Sequence, residues 1–189
     1  MTEQELVVDC IRRLDRARVD YFLTGSMASN YWGIPRSTHD LDFAVHLAPD
    51  SISPLVAEFA GDFHLDEVAV RQAFDPPHLC NAIDTRSALK VDFWLLWDDR
   101  FENAMLARRL HVRLLGEMAW IATAEDVLLH KLLWNRLTPS DRQVGDAAGI
   151  VAVQGPALDA TYLRSWGETL GVEDILEELL SGRIRPKQT

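Results

Sequence analysis

One stretch constrains the fold of this chain more than any other: YFLTGSMASNYWGIPRSTHDLDFAV, residues 21–45. It begins and ends with an apolar run typical of a strand, and the second run carries Asp40 and Asp42. Because side chains alternate along a strand, the two carboxylates are predicted to share one face. Two carboxylates on a mostly apolar strand repel each other, and their burial is costly unless a cation compensates. Mg²⁺ is the leading candidate, since it favours one or two carboxylates together with substrate phosphates.

The first apolar run ends at Gly25-Ser26, where a short helix is predicted to begin. Backbone N–H groups at a helix start, together with the helix dipole, bind phosphate well. Gly25 allows close backbone approach, and Ser26 is suited to capping the helix or to contacting a phosphate oxygen. A plain strand-to-helix turn with an N-cap is the alternative for this pair. For Asp40 and Asp42 the alternative is an exposed edge strand, which their apolar neighbours disfavour.

Gly25-Ser26 followed by Asp40-x-Asp42 in an apolar strand resembles the signature of the polymerase-β nucleotidyltransferase superfamily. The segment 33–38, GIPRST, and the chain beyond it are similar to the AbiEii-like and related small bacterial nucleotidyltransferases. That group includes toxin members of toxin–antitoxin pairs. The resemblance extends over roughly residues 15–180 and is sharpest at 25–42 and 131–146.

A third carboxylate, Asp92, interrupts an apolar strand that is predicted to form a hairpin with the run at 78–83. The resemblance implies that Asp92 joins Asp40 and Asp42 as a metal ligand and takes the proton of the acceptor hydroxyl. The alternative from the residues alone is an edge-strand aspartate paired with Lys90 or with an arginine.

The chain after residue 120 has a helical pattern, in which Lys131 lies among leucines. Such a lysine can extend its ammonium group to solvent along the apolar surface, whereas the resemblance implies a contact with triphosphate. Arg142 and Asp146 are one helical turn apart and suited to a surface ion pair. The resemblance implies instead that Asp146 assists the active site, facing the sheet from a helix antiparallel to that of Lys131. Nucleotide-binding roles are likewise implied for Arg36, Thr38 and Arg142.

The composition, with 48% hydrophobic and 25% charged residues among 189, is that of an ordinary globular chain. A formal net charge of −10 argues against broad nucleic-acid binding. The densest basic stretch is a candidate surface for a phosphate-rich partner, with a solvated face as the alternative; it contains Arg100, Arg108, Arg109 and Arg113. Cys10 and Cys80 match no metal spacing and are expected to be buried. With no signal-peptide pattern and no apolar run of about 20 residues, we expect a soluble cytoplasmic protein without membrane contact.

The predicted fold is α+β: a small mixed sheet with flanking helices, followed by a C-terminal helical segment. We expect a nucleotidyltransferase core at 1–120 and a helical segment at 121–189 that completes the active site. Helices are predicted at 3–18, 26–32, 99–109, 159–170 and 173–181, and strands at 20–24, 40–45, 78–83, 88–95 and 111–115.

The resemblance implies an enzyme that moves NMP from an NTP to an acceptor, with Mg²⁺, or alternatively Mn²⁺, as cofactor. The acceptor classes are a tRNA end or other RNA, a protein hydroxyl and a small molecule. A toxin of this kind would have an antitoxin protein as partner. Two alternatives remain open at this point: a nucleotide-binding module without turnover, and a scaffold that binds a protein partner such as an antitoxin.

Overall fold

The computed structural model describes residues 1–186, so the last three residues of the predicted helical segment lie outside the described part. The chain divides into two compact units. The first contains residues 1–24 and 39–121, and the second contains residues 25–38 and the chain from Ala122 onward. The predicted C-terminal helices are therefore grouped with a short segment from the N-terminal part of the sequence.

The helices of the described residues are α1 Glu3–Ala17, α2 Gly25–Trp32, α3 Ile52–Phe59, α4 Glu67–Gln72, α5 Arg100–Arg108, α6 Ala124–Leu137, α7 Asp141–Gln154, α8 Ala160–Leu170 and α9 Glu173–Leu180. The strands are β1 Asp20–Leu23, β2 Leu41–His46, β3 Phe63–His64, β4 Leu79–Asp84, β5 Lys90–Leu95, β6 Leu110–Leu114 and β7 Glu117–Ile121. The predicted α+β class and mixed sheet are confirmed.

The first unit consists of a seven-stranded sheet with helices. Its strand order is β3-β4-β5-β2-β1-β7-β6, in which β2 pairs with β5 in parallel and with β1 antiparallel. The helix α1 begins with a capping box, in which the Thr2 hydroxyl accepts from the Glu5 amide and the Glu5 carboxylate accepts from the Thr2 amide. Its apolar stripe is fully buried and contains Leu6, Val7, Cys10, Ile11 and Leu14.

The strand β7 was not predicted from the sequence. The segment 117–121 forms β7, which pairs antiparallel with β6 and parallel with β1. The tight reversal before it places Leu115 and Gly116 at positive φ, 51° and 89°. Only Gly116 marks this turn in the sequence, and a leucine in a left-handed conformation is unusual, so the hairpin lacked a recognisable turn signal.

The second unit packs α2 against α6 and α7, with α8 and α9 completing the helical layer. Two glycines allow the closest approach. A Cβ added to Gly33 would lie 2.8 Å from the Ile150 amide nitrogen, and one added to Gly149 would lie 3.2 Å from the Ile34 amide nitrogen. The segment that follows α2 therefore runs directly along the backbone of α7.

Both cysteines are buried, as predicted, and burial raises the pKa of the Cys80 thiol to about 12. Within residues 1–186, no helix combines the length and apolar character needed to cross a membrane.

Candidate functional site

Three polar residues on neighbouring strands of the first unit form what we call the carboxylate row: Asn81, Asp92 and Asp42. Asp42 on β2 is the register partner of Asp92 on β5, and Asp92 is in turn the partner of Asn81 on β4. Register partners on adjacent strands place their side chains on the same face of the sheet. The two carboxylates that the sequence analysis singled out on different strands are therefore neighbours across the sheet.

Both carboxylate oxygens of Asp92 have partners. Lys90 Nζ lies 2.7 Å from Oδ2, and the Asn81 side-chain amide donates to Oδ1. The Lys90 pairing is the alternative that the sequence left open for Asp92. The edge-strand part of that alternative is wrong, because β5 lies between β4 and β2 in the interior of the sheet.

Asp42 is half-buried, and its Oδ1 accepts a hydrogen bond of 3.2 Å from Trp94 Nε1. Trp94 follows Asp92 by two residues on β5, so strand alternation brings the indole to the same face. Asp40 lies just before β2 and is exposed. Between residues 1 and 186, no group of three or more His, Cys, Asp or Glu side chains has an arrangement that could hold a metal ion.

The oxygen ligands of the carboxylate row can be compared with those that Mg²⁺ prefers. This ion binds to oxygen, retains several waters, and is held by one or two carboxylates together with substrate phosphates. The in-register pair Asp42 and Asp92 fits that requirement without a third protein ligand. Thr24, whose amide donates to the Asp42 carbonyl over 3.0 Å, has a buried hydroxyl without a partner in the described part of the chain. The residues therefore fit a cation that arrives with phosphates rather than a closed protein cage.

A second group of predicted residues meets within the second unit, and we call it the basic cluster: Ser26, Arg36, Lys131 and Asp146. Asp146 accepts from Arg36 Nε at 2.7 Å, from Arg36 Nη2 at 2.8 Å and from Lys131 Nζ at 2.8 Å. Arg36 Nη2 also donates to the Ser26 hydroxyl over 2.9 Å. Two cations thus surround one carboxylate, and the cluster has an excess of one positive charge.

The basic cluster is largely withdrawn from solvent. The side chains of Asp146 and Lys131 are 7% and 8% exposed, and that of Arg36 is 27% exposed. Burial by itself raises the pKa of the Asp146 carboxyl, but the hydrogen bonds from Arg36 and Lys131 outweigh it and lower the pKa below its ordinary value. Lys131 therefore does not extend to solvent; its ammonium group is held inside the unit by Asp146.

The backbone of Arg36 is fixed as well as its side chain. The Asn30 side chain accepts from the Arg36 amide at 3.0 Å and donates to the Arg36 carbonyl at 2.7 Å. This two-way contact connects the helix α2 to the segment that follows it. Arg36 is consequently held at both ends before any ligand binds.

The remaining predicted residues have less distinctive surroundings. Gly25 begins α2 at a φ of 61°, which favours glycine. Ser26 is buried in the first turn of α2, Thr38 is half-buried, and Arg142 is exposed on α7. Asp146, one turn after Arg142, pairs with Arg36 and Lys131 instead of forming the surface pair that spacing allowed.

Sequence reasoning missed the roles of Asn30, Asn81 and Trp94. Trp94 was within reach, because it lies two residues after Asp92 on one predicted strand and therefore on the same face. Asn81 was not, since its position beside Asp92 depends on the register of the hairpin. Asn30 carried no signal, because its contact with Arg36 depends on how the segment after α2 turns back.

Arg109 belongs to the basic stretch that is the candidate surface for a phosphate-rich partner. Arg109 Nη2 lies 2.7 Å from Asp20 Oδ1, and its guanidinium carbon lies 4.6 Å from the centroid of the Trp120 ring. Its other terminal nitrogen donates to the Leu106 carbonyl over 2.7 Å. Arg109 is therefore engaged within its own unit by an acid, a ring and a backbone carbonyl.

Comparison with known proteins gives matches in structure only: no protein-family profile and no curated protein sequence matches this chain. The structure is similar to that of the antibiotic-resistance factor ANT(2'')-Ia in solution, with a TM-score of 0.59 and 8% identity over 94% of this chain and 99% of that one. It is also similar to an antigenic nucleotidyltransferase-like protein from Paracoccidioides brasiliensis, with a TM-score of 0.58 and 17% identity over 97% and 94% of the two chains. At these identities the likeness concerns the fold, and the chain has a nucleotidyltransferase-like fold.

Proposed function

We propose that this protein is a nucleotidyltransferase that moves NMP from an NTP to a hydroxyl group in the presence of Mg²⁺ or Mn²⁺. The observation that carries the proposal is the in-register pair of Asp42 and Asp92 in the interior of the sheet. Carboxylates side by side on adjacent strands repel each other, and nothing in the packing of a sheet requires them. Binding of a divalent cation together with phosphates explains why both are present.

The proposed reaction is an in-line displacement at the α-phosphorus. The acceptor oxygen forms a bond to that phosphorus, the bond to the bridging oxygen breaks, and pyrophosphate leaves. A divalent cation, when bound, supplies positive charge that neutralises the triphosphate and the developing charge on the leaving group. Asp42 and Asp92 would hold it, with Asp40 as a further carboxylate, and Asp92 is the candidate to receive the proton of the acceptor hydroxyl.

The basic cluster suits the anionic part of the substrate. Its positive charge comes from Arg36 and Lys131, whose guanidinium and ammonium groups attract phosphate. Asp146 remains ionised because its pKa is lowered by these two cations, so it orients both side chains. We propose that Arg36 and Lys131 contact the triphosphate, and that Gly25, Ser26 and Thr38 add backbone and hydroxyl donors. Arg142, exposed on α7, is assigned the outermost contact.

For the acceptor, the proposal is limited to a hydroxyl compound. The resemblance of the sequence to toxin-type nucleotidyltransferases supports a tRNA end or a protein hydroxyl, with an antitoxin as partner protein. One neighbour in structure is described as an antibiotic-resistance factor, which supports a small-molecule acceptor. The contacts of Arg109 with Asp20 and Trp120 weigh against an arginine-lined RNA surface at that position.

The test is transfer of label from each of the four NTPs, labelled at the α-phosphate, to separated fractions of a cell extract: RNA, protein and small molecules. We expect labelled product in one fraction, in the presence of Mg²⁺ or Mn²⁺, and none with Asp42→Asn. NTP binding without any labelled product would instead identify a nucleotide-binding module. Absence of both would overturn the proposal.

A further inference from the structure

Lys90 lies on the same face of the sheet as the carboxylate row, and the proposed reaction gives it no role. It begins β5, two residues before Asp92, so both side chains project from the same face of the strand. Its ammonium group lies 2.7 Å from Asp92 Oδ2, which is the oxygen not used by Asn81.

The strand register relates Lys90 to the in-register pair of carboxylates. Leu41 pairs with Val91 and Asp42 with Asp92 along the parallel strands β2 and β5. The positive charge of Lys90 therefore lies next to Asp92, whose carboxylate is repelled by that of its register partner Asp42.

We infer that Lys90 is a resident counterion, which holds the place of the divalent cation in the metal-free protein and withdraws when that cation binds. The inference rests on the proposed function, since it assigns the cation to Asp42 and Asp92.

The contact is of a kind that a divalent cation can displace. The Lys90 side chain is 54% exposed and reaches Asp92 along a flexible four-carbon stem. Ion pairs with such exposure contribute little to stability, whereas a divalent cation bound with phosphates interacts with both carboxylates. Asn81 can keep its hydrogen bond to the other oxygen of Asp92 throughout, so the carboxylate remains oriented.

This arrangement has a consequence for the order of binding. With Lys90 in place, the metal alone must compete with an internal cation and binds weakly. The same metal bound to a triphosphate brings additional contacts through its phosphates. Lys90 therefore favours arrival of the cation together with the nucleotide over binding of the cation alone.

The experiment is a titration of Mn²⁺ alone, without nucleotide, followed by electron paramagnetic resonance of the free ion. We expect Lys90→Met to bind Mn²⁺ about two- to fivefold more tightly than wild type, because an ion-pair competitor of this exposure is lost. Lys90→Arg, which keeps the charge, should stay close to wild type. Arg71→Met removes one exposed charge from the same unit, where Arg71 pairs with Glu67, and should leave Mn²⁺ binding unchanged.

A second readout requires no metal. The melting temperature of the metal-free protein should fall in Lys90→Met and recover when Asp92→Asn is added, since the repulsion that Lys90 relieves is then removed. Lys90→Gln serves as a second neutral variant if the methionine variant aggregates. These measurements separate a counterion from a residue that only packs against the sheet.

Equal or weaker Mn²⁺ binding by Lys90→Met would overturn the inference. If wild type still bound Mn²⁺ and lost it in Asp42→Asn, the proposed function would stand without a counterion at Lys90. If neither wild type nor Lys90→Met bound Mn²⁺, the inference would fail together with the assignment of the cation to Asp42 and Asp92.

Discussion

The carboxylate row and the basic cluster differ in sign, in burial and in how the chain builds them. In the carboxylate row, Asp42 and Asp92 lie in register, and the exposed Lys90 pairs with Asp92. In the cluster, two cations share the single carboxylate Asp146.

The ion pairs of the two groups also differ in how much they contribute to folding stability. The Lys90 side chain is half exposed, whereas the side chains of Lys131 and Asp146 are almost fully buried. Exposed pairs contribute little to folding, whereas breaking a buried pair leaves an uncompensated charge. Substitutions in the row should therefore change chemistry more than stability, and substitutions in the cluster should change stability as well.

The largest effect is expected for Asp42→Asn, which should lower nucleotidyl transfer at least about a hundredfold. The amide removes a charge from the cation ligands but keeps an oxygen that can accept from Trp94. The melting temperature of the metal-free protein should stay the same or rise, because repulsion with Asp92 is relieved. Labelled-NTP transfer and thermal melts of the same preparation check both parts. A loss of several kcal/mol of stability would assign Asp42 to the architecture of the sheet.

Asp146→Asn should show the opposite balance, with a loss of about 3 kcal/mol of unfolding free energy. The substitution leaves two buried or half-buried cations, Arg36 and Lys131, without their counterion. Denaturant unfolding of wild type and variant measures the difference. Glu177→Gln in the same unit breaks the exposed pair with Arg164 and should leave the unfolding free energy close to that of wild type.

The stability difference between wild type and Asp146→Asn should depend on pH. The pKa of Asp146 is lower in the folded protein than its ordinary value. Its contribution is therefore complete above the unfolded carboxyl pKa of about 4 and is lost as the pH falls through the lowered folded value. Unfolding at pH 7 and at successively lower pH should show the two proteins converging. A constant difference would mean that the carboxylate charge is not what stabilises the cluster.

Trp94→Phe should lower the affinity for Mn²⁺–nucleotide about tenfold. The ring is retained but its N–H no longer orients the Asp42 carboxylate. Trp97→Phe is the matched control, because Trp97 is an exposed indole just beyond the same strand. Calorimetric titration of both variants should separate them, and equal affinities would reduce the Trp94 contact to packing.

The smallest effect is expected at the close contact between α7 and the segment after α2, which brings Arg36 to Asp146. Gly149→Ala should destabilise by about 1–2 kcal/mol, because the added methyl group would press on the Ile34 backbone at 3.2 Å. Gly145→Ala, one turn earlier on α7, meets no atom within 4 Å and should stabilise by up to about 1 kcal/mol through helix propensity. Opposite signs in two melts of otherwise identical proteins confirm the close approach.

Local patterns allowed much of this structure to be predicted. The helices α1 and α5, the hairpin of β4 and β5, and the strand carrying Asp42 were recognisable from periodicity and turn residues. The strand β7 was not recognisable, because one partner, β1, lies about a hundred residues earlier. The turn that joins β7 to its other partner, β6, lacks a strong signal. The grouping of residues 25–38 with the C-terminal helices also has no counterpart in local sequence.

The same distinction between local patterns and non-local contacts applies to the candidate site. Alternation within a strand determined that Lys90, Asp92 and Trp94 share one face of β5, since a side-chain period of two is a property of the strand itself. The shared face of Asp40 and Asp42 stays a prediction, because Asp40 lies just before β2. Only the tertiary structure decided that Asp42 and Asn81 lie on either side of Asp92, because register between strands is set by non-local pairing. It likewise decided that Asp146 pairs with Arg36 and Lys131. Helical spacing suggested Arg142 as the partner of Asp146. The close contact at Gly33 and Gly149 instead brings Arg36, from a distant part of the sequence, to Asp146.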